Sequence, residues 1–454
     1  MSTEQFSILE HVVPACHIRE YAGSTVDQED TLDLHVKQYT PRTPTESATA
    51  DAITIIAAHG VALAKELYEP LWDELLLKSR SRGVNIRGIW IADFSSMGRS
   101  GVLNETKLSM DCSWMDHARD LLLLVNYFRS QMVRPLVGIG HSFGGTIMYM
   151  LPLAPRFVYS LRPSSANLAY IHPRLFTTVI LLDPVIQLTP PTMGFGTDPP
   201  GAINYTLWRD DIWPTRTAAY NAHRKLLKNW DPRCVHLMLQ YGFRELPTLL
   251  HPTRPPSTSI TDSDIKQQDT DTDDTPVTLT TTKQHDLLGQ IRENFSSRDP
   301  DDRVSINRAT HADMDPLAAF IPLYRPEPRS TFYRLPSLRP SCLWVLGGGT
   351  FLRLDEIREG IKVCGAGVGG SGGVGEGCVK EILLPKAGHL FPFENVSGAA
   401  EACATWLEDR IGAWRVMERE WQEKRQAMEK KGHLVLSEEW YKHVRPISGG
   451  KNKL

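Results

Sequence analysis

Two spacings of apolar residues alternate along the chain and predict its secondary structure. Longer segments with apolar positions at helical spacing predict helices over 65–81 and 113–132. Residues 32–39 alternate like an edge strand. Short, nearly continuous apolar runs predict buried strands over 52–60, 86–94, 135–140, 176–185, 341–348 and 379–389. Strands that alternate with helices in this way predict an α/β fold with a mostly parallel central sheet flanked by helices.

Two consecutive segments interrupt this alternation. Residues 190–250 are helical in pattern and rich in aromatic residues, which predicts a helical lid inserted between sheet strands. Residues 251–303 are rich in Ser, Thr, Asp and Pro and poor in large apolar residues, so we expect a disordered insertion without chemistry. The expected division is a core over 1–189, the lid over 190–250, the insertion over 251–303, a return over 304–340, the second part of the core over 341–410, and a C-terminal helix and tail over 411–454.

The composition of the 454 residues is that of an ordinary globular protein, with 41% hydrophobic and 23% charged residues. A formal net charge of −3 gives no reason to expect a nucleic-acid partner. The seven cysteines form no CxxC pair, so neither a zinc ribbon nor a disulfide framework is predicted, and reduced thiols inside a cell fit best. The chain shows no signal peptide and no apolar run of the ~20 residues that span a bilayer.

The last residues of the chain resemble a targeting signal. Lys453 and Leu454 match the end of the S-K-L signal that the peroxisomal import receptor binds, although Asn452 stands where a small residue is preferred. We therefore expect delivery to the peroxisome with that receptor as a partner, and a cytoplasmic location otherwise.

A glycine-flanked serine follows one predicted strand. Gly140-His141-Ser142-Phe143-Gly144 fits the G-x-S-x-G nucleophile elbow between a buried strand and an apolar helix. Such a turn exposes the serine hydroxyl, and Gly140 and Gly144 must be small because strand and helix nearly touch there. Ser142 is thus the candidate nucleophile, and the alternative is a glycine-rich turn without chemistry. The side chain of His141 is expected to point away from it.

A serine nucleophile needs a base and a carboxylate that orients the base. His389 lies just past the last predicted sheet strand, where a loop can return it to the serine. The acid is open between two residues. Asp183 ends the strand over 176–185, and Asp355 is the first carboxylate after the strand over 341–348.

An oxyanion hole requires two backbone N–H groups that are fixed in advance. The N–H of Phe143, directly after the candidate nucleophile, supplies one of them. The turn after His59-Gly60 places the N–H of Val61 as the other donor, with Ala62 as its neighbour.

Two further motifs do not fit their usual chemistry. Gly365–Gly370 matches GxGxxG, but it follows a helix-like segment and leads into a strand, the reverse of the dinucleotide fingerprint. His311, Asp313 and Asp315 lack the helical pairing of a metal site. No cofactor and no metal are therefore predicted.

Several stretches together resemble the fungal α/β-hydrolases of the AK-toxin biosynthesis type, a group similar to the yeast peroxisomal lipase. They include "IWIADFSSMGRSGVLNE", "SWMDHARDLLLLVNYF", "PLVGIGHSFGG" and "EILLPKAGHLFPFE". The resemblance implies an α/β-hydrolase fold with a lid, peroxisomal delivery and a role in making a fungal metabolite. It also implies Ser142 as nucleophile, His389 as base and Asp183 as acid. The chain departs from the family at 61–64, where "VALA" replaces a segment resembling "NGFP".

Three hypotheses for function follow. The first is a serine hydrolase that cleaves an ester, thioester or lactone of a bulky apolar acyl substrate in toxin biosynthesis. The second is an acyltransferase or cyclase with the same acyl-enzyme, and the third is a non-catalytic binding protein on a hydrolase scaffold. Four aromatic residues of the predicted lid are expected to suit a bulky apolar acyl group: Trp208, Trp213, Tyr220 and Trp230.

Overall fold

An eight-stranded sheet lies at the centre of the computed structural model, which describes residues 2–43, 50–150, 172–189, 201–253, 275–295, 306–314 and 322–444. The strands are β1 (Phe6–Pro14), β2 (Asp33–Pro41), β3 (Ile53–Ala58), β4 (Ile86–Ala92), β5 (Leu136–His141), β6 (Thr178–Leu182), β7 (Ser341–Gly347) and β8 (Val379–Leu384). Their order in the sheet is β1-β2-β4-β3-β5-β6-β7-β8. Strand β2 is antiparallel to both of its neighbours, and the pairs from β4 to β8 are parallel. The predicted α/β class is confirmed.

The N-terminal residues form an edge strand that the sequence pattern did not predict. Strand β1 pairs with β2 along its whole length, so the segment over 32–39 is the second strand and not the edge. Only Phe6 and Val13 of β1 are buried, whereas Leu9 and Val12 are exposed. The apolar signal of β1 is weak because the two buried apolar residues lie near its two ends.

Helices cover both faces of the sheet. The α-helices of the described residues are Ser2–Gln5, Glu69–Ser81, Gly98–Leu103, Trp114–Tyr127, Phe143–Met150, Ala202–Trp208, Arg216–Leu227, Pro232–Tyr241, Lys283–Gln290, Pro326–Phe332, Leu354–Val363, Phe391–Glu394, Val396–Gln426 and Glu438–His443. Successive strand residues point to opposite faces, so Ile180 and Leu181 belong to the two separate halves of the core. Burial on both faces explains why these strands are continuously apolar.

Two expectations from composition can be compared with the structure. All seven cysteines are free thiols in the structure. None of the helices in the described ranges has the length and apolarity that crossing a bilayer requires.

A lid is inserted between β6 and β7. Its described residues are 201–253 and 275–295, and they include the helices Ala202–Trp208, Arg216–Leu227 and Pro232–Tyr241. A small antiparallel sheet holds the lid together, with Val277–Leu279 paired between Ile212–Trp213 and Phe243–Glu245.

The expectation of disorder over 251–303 is wrong for residues 275–295. This stretch forms the central strand Val277–Leu279, the helix Lys283–Gln290 and a further short strand, Arg292–Glu293. Val277 and Leu279 are buried in a small apolar cluster within the lid. A strand of three residues is stable there because both neighbouring strands form backbone hydrogen bonds with it. The sequence pattern did not reveal it, because so short an apolar segment is outweighed by the polar residues around it. The remainder, 254–274 and 296–303, lies outside the described residues.

Amide hydrogen exchange tests whether the strand Val277–Leu279 is ordered. We expect the amides of Val277–Leu279 to exchange at least about tenfold more slowly than those of the exposed segment Lys430–Leu434, because the strand is paired on both sides. Exchange followed by peptide mass spectrometry provides the measurement. Equal exchange in both segments would restore the expectation of disorder.

Candidate active site

A sharp turn between β5 and the helix Phe143–Met150 presents Ser142. The backbone of Ser142 is left-handed, with φ +58°, a conformation that costs a non-glycine residue roughly 1 kcal/mol or more. A Cβ atom at Gly140 would lie 2.2 Å from the carbonyl oxygen of Gly144, and one at Gly144 would lie 2.4 Å from that of Ala58. Only glycine fits at either position, so the turn has the geometry that the G-x-S-x-G motif predicts.

Three side chains from separate loops meet at this turn. The Nε2 atom of His389 lies 2.9 Å from Oγ of Ser142. The Nδ1 atom of His389 lies 2.6 Å from Oδ2 of Asp183. Because the carboxylate accepts the Nδ1 hydrogen, Nε2 is left to accept the hydroxyl hydrogen of Ser142. The structure thus brings together the three residues that the sequence suggested as nucleophile, base and acid.

The carboxylate of Asp183 is fully buried and is held by strand β7 and the turn that follows it. Gly347 donates its backbone N–H to Oδ1 at 3.0 Å, and the Thr350 hydroxyl donates to Oδ2 at 2.5 Å. Sequence reasoning found no carboxylate in this turn and missed that it supplies donors instead. A threonine three residues after a strand end is too common a pattern to have revealed this role.

Asp355, the other candidate acid, lies elsewhere. Its side chain is 68% exposed and forms a bidentate ion pair with Arg353 on the surface. Neighbouring hydrogen bonds from Arg353 lower the pKa of Asp355. The geometry therefore favours Asp183 as the residue that orients His389.

The predicted oxyanion donors lie in the same cavity as Ser142 and His389. Val61 and Phe143 both contribute to its walls. In the turn after Gly60, the neighbouring Ala62 has φ +57°, and its N–H points to the sulfur of Met97 at 3.3 Å. The use of Val61 and Phe143 as an oxyanion hole stays a prediction.

The cavity above Ser142 has a volume of about 320 Å³, and lid residues form part of its wall. Most of its wall is apolar, with contributions from Leu63, Trp114, Ile203, Leu226, Trp230 and Leu279. A polar part of the lid wall contains Asp286, which accepts hydrogen bonds from Arg209 at 2.7 Å and from Gln290 at 2.9 Å. Burial raises the pKa of Asp286, and the charge of Arg209 opposes this shift. The site therefore offers apolar space with one polar wall.

The expected lid aromatics are placed differently from one another. Trp230 lines the cavity, as predicted. Trp208 is 80% exposed, and Trp213 is buried in the apolar cluster of the lid itself. Tyr220 packs against the core of the main fold. Aromatic content identified the lid but not the faces of its helices, because a period of 3.6 residues does not show which neighbour each face meets.

The two motifs that were set aside have structural roles. Residues Gly365–Gly370 form a loop between the helix Leu354–Val363 and β8, so the order is helix before strand. Asp313 pairs with Arg292, and His311 bonds to the carbonyl of Glu293. Within the described ranges no cluster of three metal-binding side chains occurs. Residue 315 lies outside those ranges.

Comparisons with known proteins identify the family of the chain. Residues 55–406 match the family described as "Alpha/beta hydrolase family". The chain is 58% identical over 454 residues to the type I acyl-CoA thioesterase mpaH of Penicillium roqueforti, covering all of this chain and 98% of that protein. It is 26% identical over 285 residues to the abhydrolase domain-containing protein AKT2 of Alternaria alternata, covering 62% of this chain and 87% of that protein.

A solved structure adds support for the fold. The peroxisomal alpha-beta-hydrolase Lpx1 of Saccharomyces cerevisiae superposes with a TM-score of 0.61 at 15% identity, covering 94% of this chain and 99% of that chain. The resemblance to fungal hydrolases of the AK-toxin type and to the yeast peroxisomal protein is confirmed.

Substitution of the two candidate acids tests the site. In Asp183→Asn, the N–H of Gly347 keeps the amide oxygen on its side, so the amide NH₂ faces His389. Nδ1 must then accept, the proton moves to Nε2, and Ser142 loses its base. We expect its labelling by a fluorophosphonate to slow by about 10³–10⁴-fold.

Asp355→Asn is the matched control, and its labelling rate should equal that of the unsubstituted protein because the Asp355 side chain is exposed and pairs with Arg353 at the surface. Intact mass against time gives the rates. A normal rate for Asp183→Asn with a slow rate for Asp355→Asn would reverse the assignment.

Proposed function

Since the chain belongs to the alpha/beta hydrolase family and is a serine hydrolase, we propose that it cleaves acyl-coenzyme A thioesters of a bulky, apolar fungal metabolite. The observation that carries the proposal is the bonded set of Ser142, His389 and Asp183, of which Ser142 and His389 line an apolar cavity. The thioester class is supported by the 58% identity to a protein named as an acyl-CoA thioesterase.

In the first half of the proposed reaction, Ser142 attacks the thioester carbonyl carbon. His389 Nε2 takes the hydroxyl proton as the Oγ–C bond forms, and the Asp183 carboxylate stabilises the resulting imidazolium through Nδ1–H. The N–H groups of Val61 and Phe143 would then bind the oxyanion. Collapse of the tetrahedral intermediate breaks the C–S bond, and His389 returns the proton to the departing thiolate.

In the second half, water releases the acyl group. His389 removes a proton from a water molecule, whose oxygen attacks the acyl carbon and forms a second oxyanion at the same two N–H groups. The C–O bond to Ser142 breaks, and Ser142 regains the proton from His389. The net products are a free carboxylic acid and a free thiol, and the residues return to their starting protonation states.

The shape of the cavity supports an apolar acyl group. Ile203, Trp230 and Leu279 present hydrocarbon from the lid above Ser142, and burial of such surface contributes about 25 cal/mol per Å² to binding. The proposal that the acyl group comes from secondary metabolism, including toxin formation, depends on the resemblance to fungal hydrolases of the AK-toxin type.

Product analysis tests this function and separates it from acyl transfer. Incubation with bulky acyl-CoA thioesters in H₂¹⁸O is expected to give free thiol and free acid in equal amounts, with one ¹⁸O in the acid. Ser142→Ala should lower kcat by at least about 10⁴-fold, because the nucleophile is lost. Ser81→Ala, at the exposed end of the helix Glu69–Ser81, is the matched control.

Conjugates formed with an added amine or alcohol, without labelled acid, would instead indicate the acyltransferase alternative. Intact protein that leaves every thioester uncleaved would contradict the proposed substrate class.

Peroxisomal delivery is a further part of the proposal, and it depends on the terminal residues Lys453 and Leu454, which lie outside the described residues. A fluorescent protein fused to the N-terminus of the full chain should colocalise with a peroxisomal marker in a fungal cell. Deletion of Leu454 should make the fluorescence diffuse, because the receptor binds the free terminus. Diffuse fluorescence of the unaltered chain would contradict the expected location.

A further inference from the structure

Three hydrogen bonds behind the elbow connect the two loops that flank Ser142. The N–H of Gly60, in the turn that holds the predicted oxyanion donor, lies 2.8 Å from the hydroxyl oxygen of Tyr68. That hydroxyl lies 2.7 Å from Nδ1 of His141. Nε2 of His141 lies 3.0 Å from the backbone carbonyl oxygen of His389. Tyr68 and His141, which form the middle of this chain of bonds, are both buried.

The backbone groups at the two ends of this chain of bonds determine which atom donates in each hydrogen bond. A backbone N–H only donates, so the Gly60 amide donates to the Tyr68 oxygen. A backbone carbonyl only accepts, so His141 must carry its proton on Nε2 and donate to His389. Nδ1 of His141 is then an acceptor, and it receives the hydroxyl hydrogen of Tyr68. This assignment satisfies each group once and leaves the neutral imidazole in a single tautomer.

The surroundings keep His141 neutral. Burial, reinforced by the charge of His389, lowers the pKa of His141 to about 3. A second proton on Nδ1 would turn this atom into a donor, so the hydroxyl hydrogen of Tyr68 would lose its acceptor. Burial also raises the pKa of Tyr68, so its hydroxyl stays protonated. The chain of bonds therefore keeps the same polarity around neutral pH.

Aromatic packing surrounds the side chains of Tyr68 and His141. The Tyr68 ring lies edge-on to Phe393, with the centroids 5.0 Å apart, and His141 lies edge-on to the same ring at 5.8 Å. A Cβ atom at Gly60 would lie 2.7 Å from Leu63 and 3.2 Å from Nδ1 of His141. The Gly60 backbone therefore reaches Tyr68 only because residue 60 has no side chain.

We propose that Tyr68 and His141 are positioning residues that keep the turn of the oxyanion donor and the loop of the base at a fixed separation around Ser142. The inference rests on the proposed function, since it assigns these residues to the same acyl-enzyme reaction. The turn after Gly60 and the loop of His389 follow different strands, β3 and β8, which are not neighbours in the sheet. The hydrogen bonds through Tyr68 and His141 therefore fix the distance between this turn and this loop directly, and not only through the intervening strands of the sheet.

The proposal is tested first with Tyr68→Phe, which keeps the ring and removes two bonds of the link. Tyr39→Phe is the matched control, because Tyr39 is also buried and donates its hydroxyl to Glu69 at 2.9 Å. Loss of a buried tyrosine hydroxyl destabilises both variants. We expect only Tyr68→Phe to lower kcat, by about 10- to 100-fold with little change in KM, since displaced donors act in the transition state.

A second pair of variants separates hydrogen bonding from packing. In His141→Gln, the amide oxygen can accept from Tyr68 and the amide nitrogen can donate to the carbonyl of His389. His141→Leu has a similar volume and can do neither. We expect the Gln variant to retain most of the activity and the Leu variant to lose as much as Tyr68→Phe. Thermal unfolding of each variant confirms that the protein is folded at the assay temperature.

The rate of Ser142 labelling by a fluorophosphonate is measured alongside acyl-CoA cleavage, because it needs the base and the oxyanion donors but no acyl-CoA. The same ranking of variants in both assays supports the proposal. Equal rates for Tyr68→Phe and Tyr39→Phe, or a rise in KM alone, overturn it. Labelling with the expected ranking but no thioester cleavage supports the positioning role and contradicts only the substrate class. An unlabelled parent protein overturns both proposals.

Discussion

The close approach of a strand and a helix at Ser142 is the constraint on which the site depends. Strand β5 and the helix Phe143–Met150 come so near each other that Gly140 and Gly144 have no room for a side chain. This contact forces the left-handed backbone of Ser142 and lifts its hydroxyl out of the turn. The sheet on both sides supplies the stability that holds such a strained residue, because its strands are buried on both faces.

The fully buried carboxylate of Asp183 is the second constraint on the site, because burial removes the hydration of an ion and this costs free energy. Asp183 recovers hydrogen bonds from three donors, namely the N–H of Gly347, the hydroxyl of Thr350 and the ring of His389. These donors belong to strand β7, the turn after it and the loop after β8. The parallel strands β6, β7 and β8 therefore act together, since their carboxyl ends meet at the same edge of the sheet.

Much of the fold and part of the site could be predicted because those features are local. Buried strands and the motif around Ser142 can each be recognised from a segment of about ten residues. The choice between Asp183 and Asp355 could not be made, because the donors that hold a carboxylate come from another strand and leave no pattern beside it. The strand Val277–Leu279 was missed for a related reason, since its partners lie about 35 and 65 residues earlier in the chain. Long-range pairing of short segments is invisible to periodicity.

The lid contributes to the walls of the cavity above Ser142 and also packs on the core beside it. Its helix Lys283–Gln290 meets the core at Gly289, where a Cβ atom would lie 2.3 Å from Met97 and 3.0 Å from Val61. The helix thus packs on the turn that carries the predicted oxyanion donor, and the absence of a side chain at Gly289 permits this. The helix Lys283–Gln290, in a stretch that composition predicted to be free of chemistry, therefore supports that turn from the outer side. The buried link from Gly60 supports the same turn from the inner side.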